Sequence, residues 1–324
     1  MLGITISILS AAGAANAYTV VTHEQFMKKN IDALVVPGEY KSHMHSFFGS
    51  DAITKDKPTS AELQKGCASG ENPNDLSVYW VPTLYHVDGD TYTEIEPMRF
   101  STYYENIGYA DAPIPQDFAV IAGISSATSQ AELDDKNTGL SWFCEGDDGE
   151  DKDAAAFPTK TCSTHLQTIF RFHDCVDPAS LNSTYSSGSF GTDNYCPDGY
   201  NRIPRLRFSI RYDLRKILPD GWSGPPPLEL ASGPSYSMHG DFINGWFEDA
   251  AQNMLQASDK REFAQVDGEH GDGKSGPTCT ATDADPNGGT DDYATSLSMM
   301  GKKLKRAVGK TRGFAERRMA WSKN

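Results

Sequence analysis

The chain has 324 residues, of which 38% are hydrophobic and 23% charged, and its formal net charge at pH 7 is −15. This length accommodates one large domain or two small ones. The acidic balance argues against a protein that binds nucleic acid or an anionic membrane surface.

The N-terminal residues 1–17 have the pattern of a secretory signal peptide. An apolar run over residues 2–9 precedes small residues that end in an A-x-A triplet at 15–17, the type of site that signal peptidase cleaves. The run is too short to span a bilayer, and no other segment has the length of a transmembrane helix. We therefore expect a secreted, extracellular protein without a transmembrane segment, whose mature chain begins at Tyr18.

Residues 18–258 have the pattern of a single β-rich domain. Short runs in it alternate apolar and polar residues, as strands with one solvated face do, and turn-forming residues separate these runs. The clearest runs cover residues 77–81, 91–95, 118–122, 166–172 and 206–212. Many short strands at modest spacing predict a mainly β fold, a β-sandwich or jelly-roll-like domain with long loops and one or two short helices.

One helix is predicted within this domain, over residues 244–256. Apolar residues recur there at helical spacing, and Glu248 and Asp249 lie early in the segment, where they suit the positive end of the helix dipole.

The last part of the chain has a different composition. Glycine and aspartate dominate residues 259–295, which predicts a flexible linker. Residues 296–324 form a basic C-terminal tail with apolar residues spread among the cations. One interpretation of this tail is an amphipathic helix that contacts an acidic surface, and the other is a disordered extension.

Cysteine usage agrees with an exported protein. Six cysteines allow three disulfides, and the absence of any C-x-x-C pair disfavours a zinc-cysteine site. Two pairs are favoured because each encloses a short loop, and the last two cysteines are then left for each other. The pairs are Cys144–Cys162, Cys175–Cys196 and Cys67–Cys279. The sequence Asn182-Ser-Thr is an N-glycosylation acceptor, so we expect a glycan on a surface loop at Asn182.

Two distant segments concentrate the side chains that carry chemistry. They read HMHSFFGSD over residues 43–51 and SYSMHGDFINGW over residues 235–246. If the fold brings them together, three histidines and two aspartates share one pocket.

These segments and others resemble a secreted family that is common in fungi and is catalogued as domain of unknown function 1996. The motifs that carry the resemblance, in chain order, are HMHSFFG (43–49), SVYWVPTLY (77–85), FPTKTC (157–162), FHDCVD (172–177), CP (196–197), RIPRL (202–206) and HGDFINGW (239–246). The resemblance covers roughly residues 38–256. It implies an exported protein that acts at cell walls or polysaccharides, and it supplies no catalytic residues.

The histidines allow three interpretations. Residues i and i+2 of a strand point to the same face, so His43 and His45 are expected to line one pocket. Together with His239 they suit a divalent metal ion, which is therefore a candidate cofactor. Imidazoles equally suit metal-free proton transfer or sugar binding. In the third interpretation they only organise loops.

Carbohydrate chemistry adds further candidates. A glycosidase uses two carboxylates about 5 to 10 Å apart, for which Asp51 and Asp241 are the predicted pair. A lyase instead needs a histidine or tyrosine base and a group that neutralises the substrate's carboxylate. The predicted catalytic residues are His45, His239, Asp241 and Asp51, and the predicted substrate-binding residues are Trp80, Tyr85, Tyr236, Asn244, Trp246 and Arg205. A hydrolase or lyase acting on extracellular polysaccharide is the first hypothesis, and a non-catalytic carbohydrate-binding or structural secreted protein is the alternative.

Overall fold

The structure is a computed structural model that describes residues 18–133, 138–147, 154–189, 192–257, 266–273 and 275–301. The predicted signal peptide, the first part of the predicted linker (259–265) and most of the predicted basic tail (302–324) lie outside the described residues.

The described chain is mainly β, as predicted. Its strands are β1 (Thr19–His23), β2 (Met27–Lys29), β3 (His45–Gly49), β4 (Val78–Pro82), β5 (Leu84–Asp88), β6 (Thr91–Glu94), β7 (Arg99–Glu105), β8 (Ala119–Gly123), β9 (Ser141–Cys144), β10 (Leu166–Arg171), β11 (Cys175–Val176), β12 (Ser183–Thr184), β13 (Ser187–Ser189), β14 (Thr192–Tyr195), β15 (Asn201–Arg202), β16 (Arg205–Tyr212), β17 (Leu228–Leu230) and β18 (His239–Ile243). Short α-helices are α1 (Ser60–Leu63), α2 (Glu248–Met254) and α3 (Tyr293–Met299). Each of the five predicted β runs overlaps one of these strands.

Two five-stranded antiparallel sheets form the sandwich. The back sheet has the strand order β1-β7-β16-β10-β9, and the front sheet has the order β2-β3-β4-β18-β8. Their inner faces interdigitate: Phe48 of the front sheet stacks on Phe100 of the back sheet, with ring centroids 3.9 Å apart. Gly240 lies where a Cβ would approach the Phe170 ring to 2.6 Å, so only glycine allows this close packing of the two sheets.

The outer face of the front sheet carries the residues of greatest interest. Side chains alternate along each strand, so Phe242 enters the core between the sheets while His239, Asp241 and Ile243 lie on the outer face. Phe47, Trp80 and Ile243 of this outer face form a second apolar cluster with residues that cover it, including Ile31 of a loop and Leu63 of α1.

The predicted helix over 244–256 is shorter than expected and begins at Glu248. Residues 244–247 remain extended because Trp246 pairs with Asp75 in a β-bridge and its indole Nε1 donates a hydrogen bond to Tyr104 Oη, 2.8 Å away. Burial of this tryptophan in the core determines the backbone path more strongly than the helical spacing does.

The three predicted disulfides, Cys144–Cys162, Cys175–Cys196 and Cys67–Cys279, are confirmed. Asn182 is exposed, as its predicted position on a surface loop requires. No described helix is both long and apolar enough to cross a membrane.

The C-terminal residues 266–273 and 275–301 pack against the sandwich, which differs from the expected flexible linker. The Cys67–Cys279 disulfide fixes this segment to the loop that follows β3. Lys29 forms an ion pair with Asp283, and the Tyr293 ring of α3 stacks on Tyr85 with centroids 4.4 Å apart. Composition predicted flexibility, but contacts with residues far away in the sequence order the segment.

Candidate functional site

The structure brings three histidines from the two predicted segments together. The Nε2 atom of His239 lies 3.2 Å from Nε2 of His43 and 3.4 Å from Nε2 of His45. The three atoms that these residues can offer to a metal ion all lie within 4.8 Å of one another. His45 and His239 are buried, and His43 is half-buried.

The register of the front sheet explains this convergence. His45 pairs with Pro82 across β3 and β4, and Asp241 pairs with Trp80 across β18 and β4. Because β18 and β4 are antiparallel, His239, two residues before Asp241, lies level with Pro82, two residues after Trp80. The two histidines therefore flank one strand on the same outer face, and their ring centroids are 5.6 Å apart. His43 precedes β3, and its ring contacts that of His45 at 4.2 Å.

Backbone carbonyls fix the orientation and the tautomer of the two buried rings. His45 Nδ1 lies 2.8 Å from the carbonyl oxygen of Ile31, and His239 Nδ1 lies 2.8 Å from that of Ser237. A carbonyl only accepts hydrogen bonds, so each Nδ1 carries the proton. In the neutral rings, the Nε2 atoms that face each other therefore both present lone pairs.

Asp241 is a buried carboxylate beside this cluster. Its Oδ2 atom lies 3.9 Å from His239 Nε2, and neither carboxylate oxygen has a hydrogen-bond partner among the described residues. Burial raises the pKa of Asp241 well above its ordinary value, and the nearby Asp32 raises it further. A carboxylate in this setting attracts a proton or a cation.

Burial also affects the protonation of the histidines. It lowers the pKa of His239 to about 4, and the neighbouring His45 adds to this effect. Burial is likewise the largest cause of the lowered pKa of His45, and the negative charge of Asp32 acts in the opposite direction by raising this pKa. Both rings are therefore neutral near pH 7, so no proton is expected between the opposed Nε2 atoms.

A pocket of about 360 Å³ gives access to the cluster. His43 and His239 line it, together with Asp32, Lys41 and the aliphatic residues Val35 and Ile124, which are 61% and 39% exposed.

Asp32 is a site residue that the sequence analysis missed. It is 3% exposed, and its Oδ1 atom accepts hydrogen bonds from the backbone N–H groups of Leu34 and Val35. The only signal in the sequence is an aspartate at the start of a short loop, a pattern that is common in turns without any function.

Asp51 lies away from the cluster. His45 begins β3 and Asp51 follows the other end of this strand, which places the two roughly 20 Å apart along the backbone. The Asp51 carboxylate accepts backbone hydrogen bonds from Cys67 at 2.7 Å and Thr282 at 3.0 Å. Asp51 thus supports the region of the Cys67–Cys279 disulfide, and the structure does not bring it together with Asp241.

Most of the predicted substrate-binding residues are buried. Trp80, Tyr85, Asn244 and Trp246 are each at most 2% exposed, so none of them presents a surface to a sugar ring. Trp80 packs on Phe47 on the outer face of the front sheet. Asn244 lies in the loop that precedes α2, and its amide donates a hydrogen bond to the carbonyl of Pro115, which precedes β8.

The other two predicted substrate-binding residues also have structural contacts. Tyr236 is half-buried and packs against the core cluster, in the turn that leads to His239. Arg205 forms an ion pair with Asp174 at 2.7 Å, at the start of β16. Neither residue lines the pocket beside the histidines.

Comparison with known proteins gives one result. No curated protein and no solved structure matches the chain. A family model described as Domain of unknown function (DUF1996) matches residues 32–246, a range that contains all three clustered histidines and both Asp32 and Asp241. The chain therefore belongs to this family.

Proposed function

We propose that this protein is an extracellular enzyme that acts on a cell-wall or other polysaccharide, and that His45, His239 and Asp241 carry its chemistry. The observation that supports the proposal is the convergence of three imidazoles and a carboxylate beside an accessible pocket. Buried titratable groups are costly unless they are paired, and they concentrate at functional sites. The extracellular polysaccharide is the substrate class that the family resemblance implies.

Catalysis is favoured over simple carbohydrate binding because the residues of a binding platform are not available. A sugar-binding module needs exposed aromatic faces, whereas Trp80, Tyr85 and Trp246 are buried. The pocket is instead lined by two imidazoles, and the buried carboxylate of Asp241 lies next to one of them. Such groups serve proton transfer or metal-assisted chemistry.

A glycosidase mechanism with two carboxylates is not the form of chemistry that this pocket favours. Asp51 was the predicted partner of Asp241, and it lies at the far end of β3 with its carboxylate held by backbone N–H groups. The imidazoles therefore take the acid–base role in this proposal, with Asp241 next to His239.

The test is product release from a panel of extracellular polysaccharides, measured as new reducing ends and as unsaturated sugars to separate hydrolysis from elimination. We expect His239→Gln to lower the rate by about 10²- to 10⁴-fold, the usual contribution of a positioned acid–base group. His86→Gln is the matched control, since His86 is a half-buried histidine on β5 in a different sheet. Binding without product release, unchanged by His239→Gln, would instead favour the non-catalytic carbohydrate-binding alternative.

A further inference from the structure

We propose that His43, His45 and His239 bind one divalent transition-metal ion of the zinc type through their Nε2 atoms, at a site that leaves a coordination position open to the pocket. The inference rests on the proposed function in that it concerns the same pocket, and it deepens that function by naming the cofactor.

The separation of the nitrogen atoms suits a metal ion. In a tetrahedral zinc site with Zn–N distances of about 2.0–2.1 Å, two ligand nitrogens lie about 3.3 Å apart. The observed Nε2 separations from His239 are 3.2 Å to His43 and 3.4 Å to His45. Two of the three nitrogen pairs thus already have nearly the spacing that one metal ion requires, and all three atoms lie within 4.8 Å of one another.

The tautomer of the two buried rings also suits a metal ion. Because Ile31 and Ser237 supply carbonyl acceptors to the Nδ1 atoms, the neutral rings of His45 and His239 direct lone pairs at each other across 3.4 Å. Opposed lone pairs repel unless a cation lies between them. Metal-binding histidines usually donate their other N–H group to a carbonyl or carboxylate, and both buried rings have this arrangement.

Two buried carboxylates lie around the cluster. Asp241 and Asp32 are both buried, and the Oδ2 atom of Asp241 lies 3.9 Å from His239 Nε2. Neither carboxylate oxygen of Asp241 has a partner among the described residues. A divalent cation held by three neutral imidazoles would offset this buried negative charge.

The ligand set indicates the type of metal. Nitrogen donors favour zinc and the neighbouring late first-row ions, whereas calcium and magnesium prefer oxygen donors. Three protein ligands with a free position are typical of catalytic zinc sites, while structural sites are closed by four. The free position faces the pocket lined by His43 and His239. The metal would act there as a Lewis acid.

The experiment measures metal binding without substrate. The full-length protein is stripped with a chelator, titrated with zinc chloride by calorimetry, and its zinc content after dialysis is determined by elemental analysis. We expect about one zinc ion per chain, and a loss of affinity of more than about 100-fold in His239→Gln. His86→Gln is the control and should bind zinc as the unchanged protein does. X-ray absorption of the zinc-loaded protein should show nitrogen neighbours at about 2.0–2.1 Å.

Two outcomes would overturn the inference: zinc content near zero in the unchanged protein, or equal zinc affinity in the unchanged protein and the histidine variants. If His239→Gln does not fold, His43→Gln decides the question, because His43 is only half-buried and lies before β3 rather than within it.

This result and the polysaccharide assay are independent. Zinc binding without product release would refute the proposed function and leave the metal site standing. Product release by a protein that holds no metal would refute the metal site and leave the proposed function standing.

Discussion

The described part of the chain contains two buried histidine–aspartate pairs of almost equal separation, and they differ in how their carboxylates are hydrogen-bonded. His23 Nε2 lies 4.0 Å from Asp75 Oδ2, and His239 Nε2 lies 3.9 Å from Asp241 Oδ2. All four side chains are at most 3% exposed. Distance and burial alone therefore do not separate a structural pair from a functional one.

The hydrogen bonds of the first pair belong to the core. Tyr79 Oη donates a hydrogen bond to Asp75 Oδ2 at 2.6 Å, and the backbone N–H group of Ser77 donates one to Oδ1 at 3.1 Å. His23 Nε2 lies 2.9 Å from Thr102 Oγ1. Asp75 and His23 thus join the two sheets of the sandwich through a polar network.

In the second pair, the carboxylate lacks such partners, and only the Nδ1 atom of His239 is held by the fold. Asp241 has no hydrogen-bond partner among the described residues, and His239 Nε2 faces two other imidazoles. A native fold seldom leaves buried polar atoms without partners, and such groups call for an explanation by a ligand or a catalytic role. The contrast lies in the carboxylates, since His23 Nδ1 also has no partner among the described residues. The fold holds Asp75 by hydrogen bonds, and the unpartnered carboxylate of Asp241 supports the catalytic role proposed for the second pair.

Acid stability provides the largest expected effect. Burial lowers the pKa of His23 to about 3, below its ordinary value of 6.5. This histidine therefore contributes stability that is fully present above pH 6.5 and is lost as the pH falls toward 3. Between pH 7 and pH 4, we expect the free energy of unfolding of the unchanged protein to fall by about 3 kcal/mol relative to His23→Gln.

Guanidinium unfolding of both proteins at the two pH values measures this difference. Asp75 lies beside His23, and burial raises its pKa to about 6, so its own contribution is present below pH 3.8 and is lost as the pH rises through 6. The comparison with His23→Gln removes this effect because both proteins contain Asp75. A pH-independent difference between the two proteins would mean that His23 is not held neutral by the core.

Matched aspartate substitutions give a smaller effect and a direct contrast. Asp75→Asn replaces an acceptor of the Tyr79 and Ser77 hydrogen bonds, and we expect it to lower the free energy of unfolding by about 1–3 kcal/mol. Asp241→Asn breaks no hydrogen bond and removes a buried carboxylate, so in chelator-treated protein we expect a change within about 1 kcal/mol, or a gain in stability. Equal destabilisation by the two substitutions would contradict the division into structural and functional pairs.

Local pattern predicted much of the fold. Alternation of apolar and polar residues identified strands such as β10 and β16, and cysteine spacing gave disulfide pairs that are confirmed. The order of residues 266–301 was not predictable from composition, because contacts such as the ion pair of Lys29 with Asp283 join parts of the chain far apart in sequence.

The candidate site was predictable only in part. The sequence identified His43, His45 and His239, but only the register of β3, β4 and β18 shows that their Nε2 atoms meet. Asp51 shares the same sequence segment as His45, yet the length of β3 separates them. Burial of residues such as Trp80 follows from sheet packing, which local sequence does not specify.

The most direct test of the central claim is nitrogen NMR of the histidine rings during a zinc titration of the full-length protein at pH 7. We predict that His45 and His239 carry the proton on Nδ1, as their carbonyl partners require. One equivalent of zinc should then shift the Nε2 resonances of His43, His45 and His239 and leave those of His23 unchanged. Protons on the Nε2 atoms of His45 and His239, or no zinc-dependent shift in the cluster, would contradict the account.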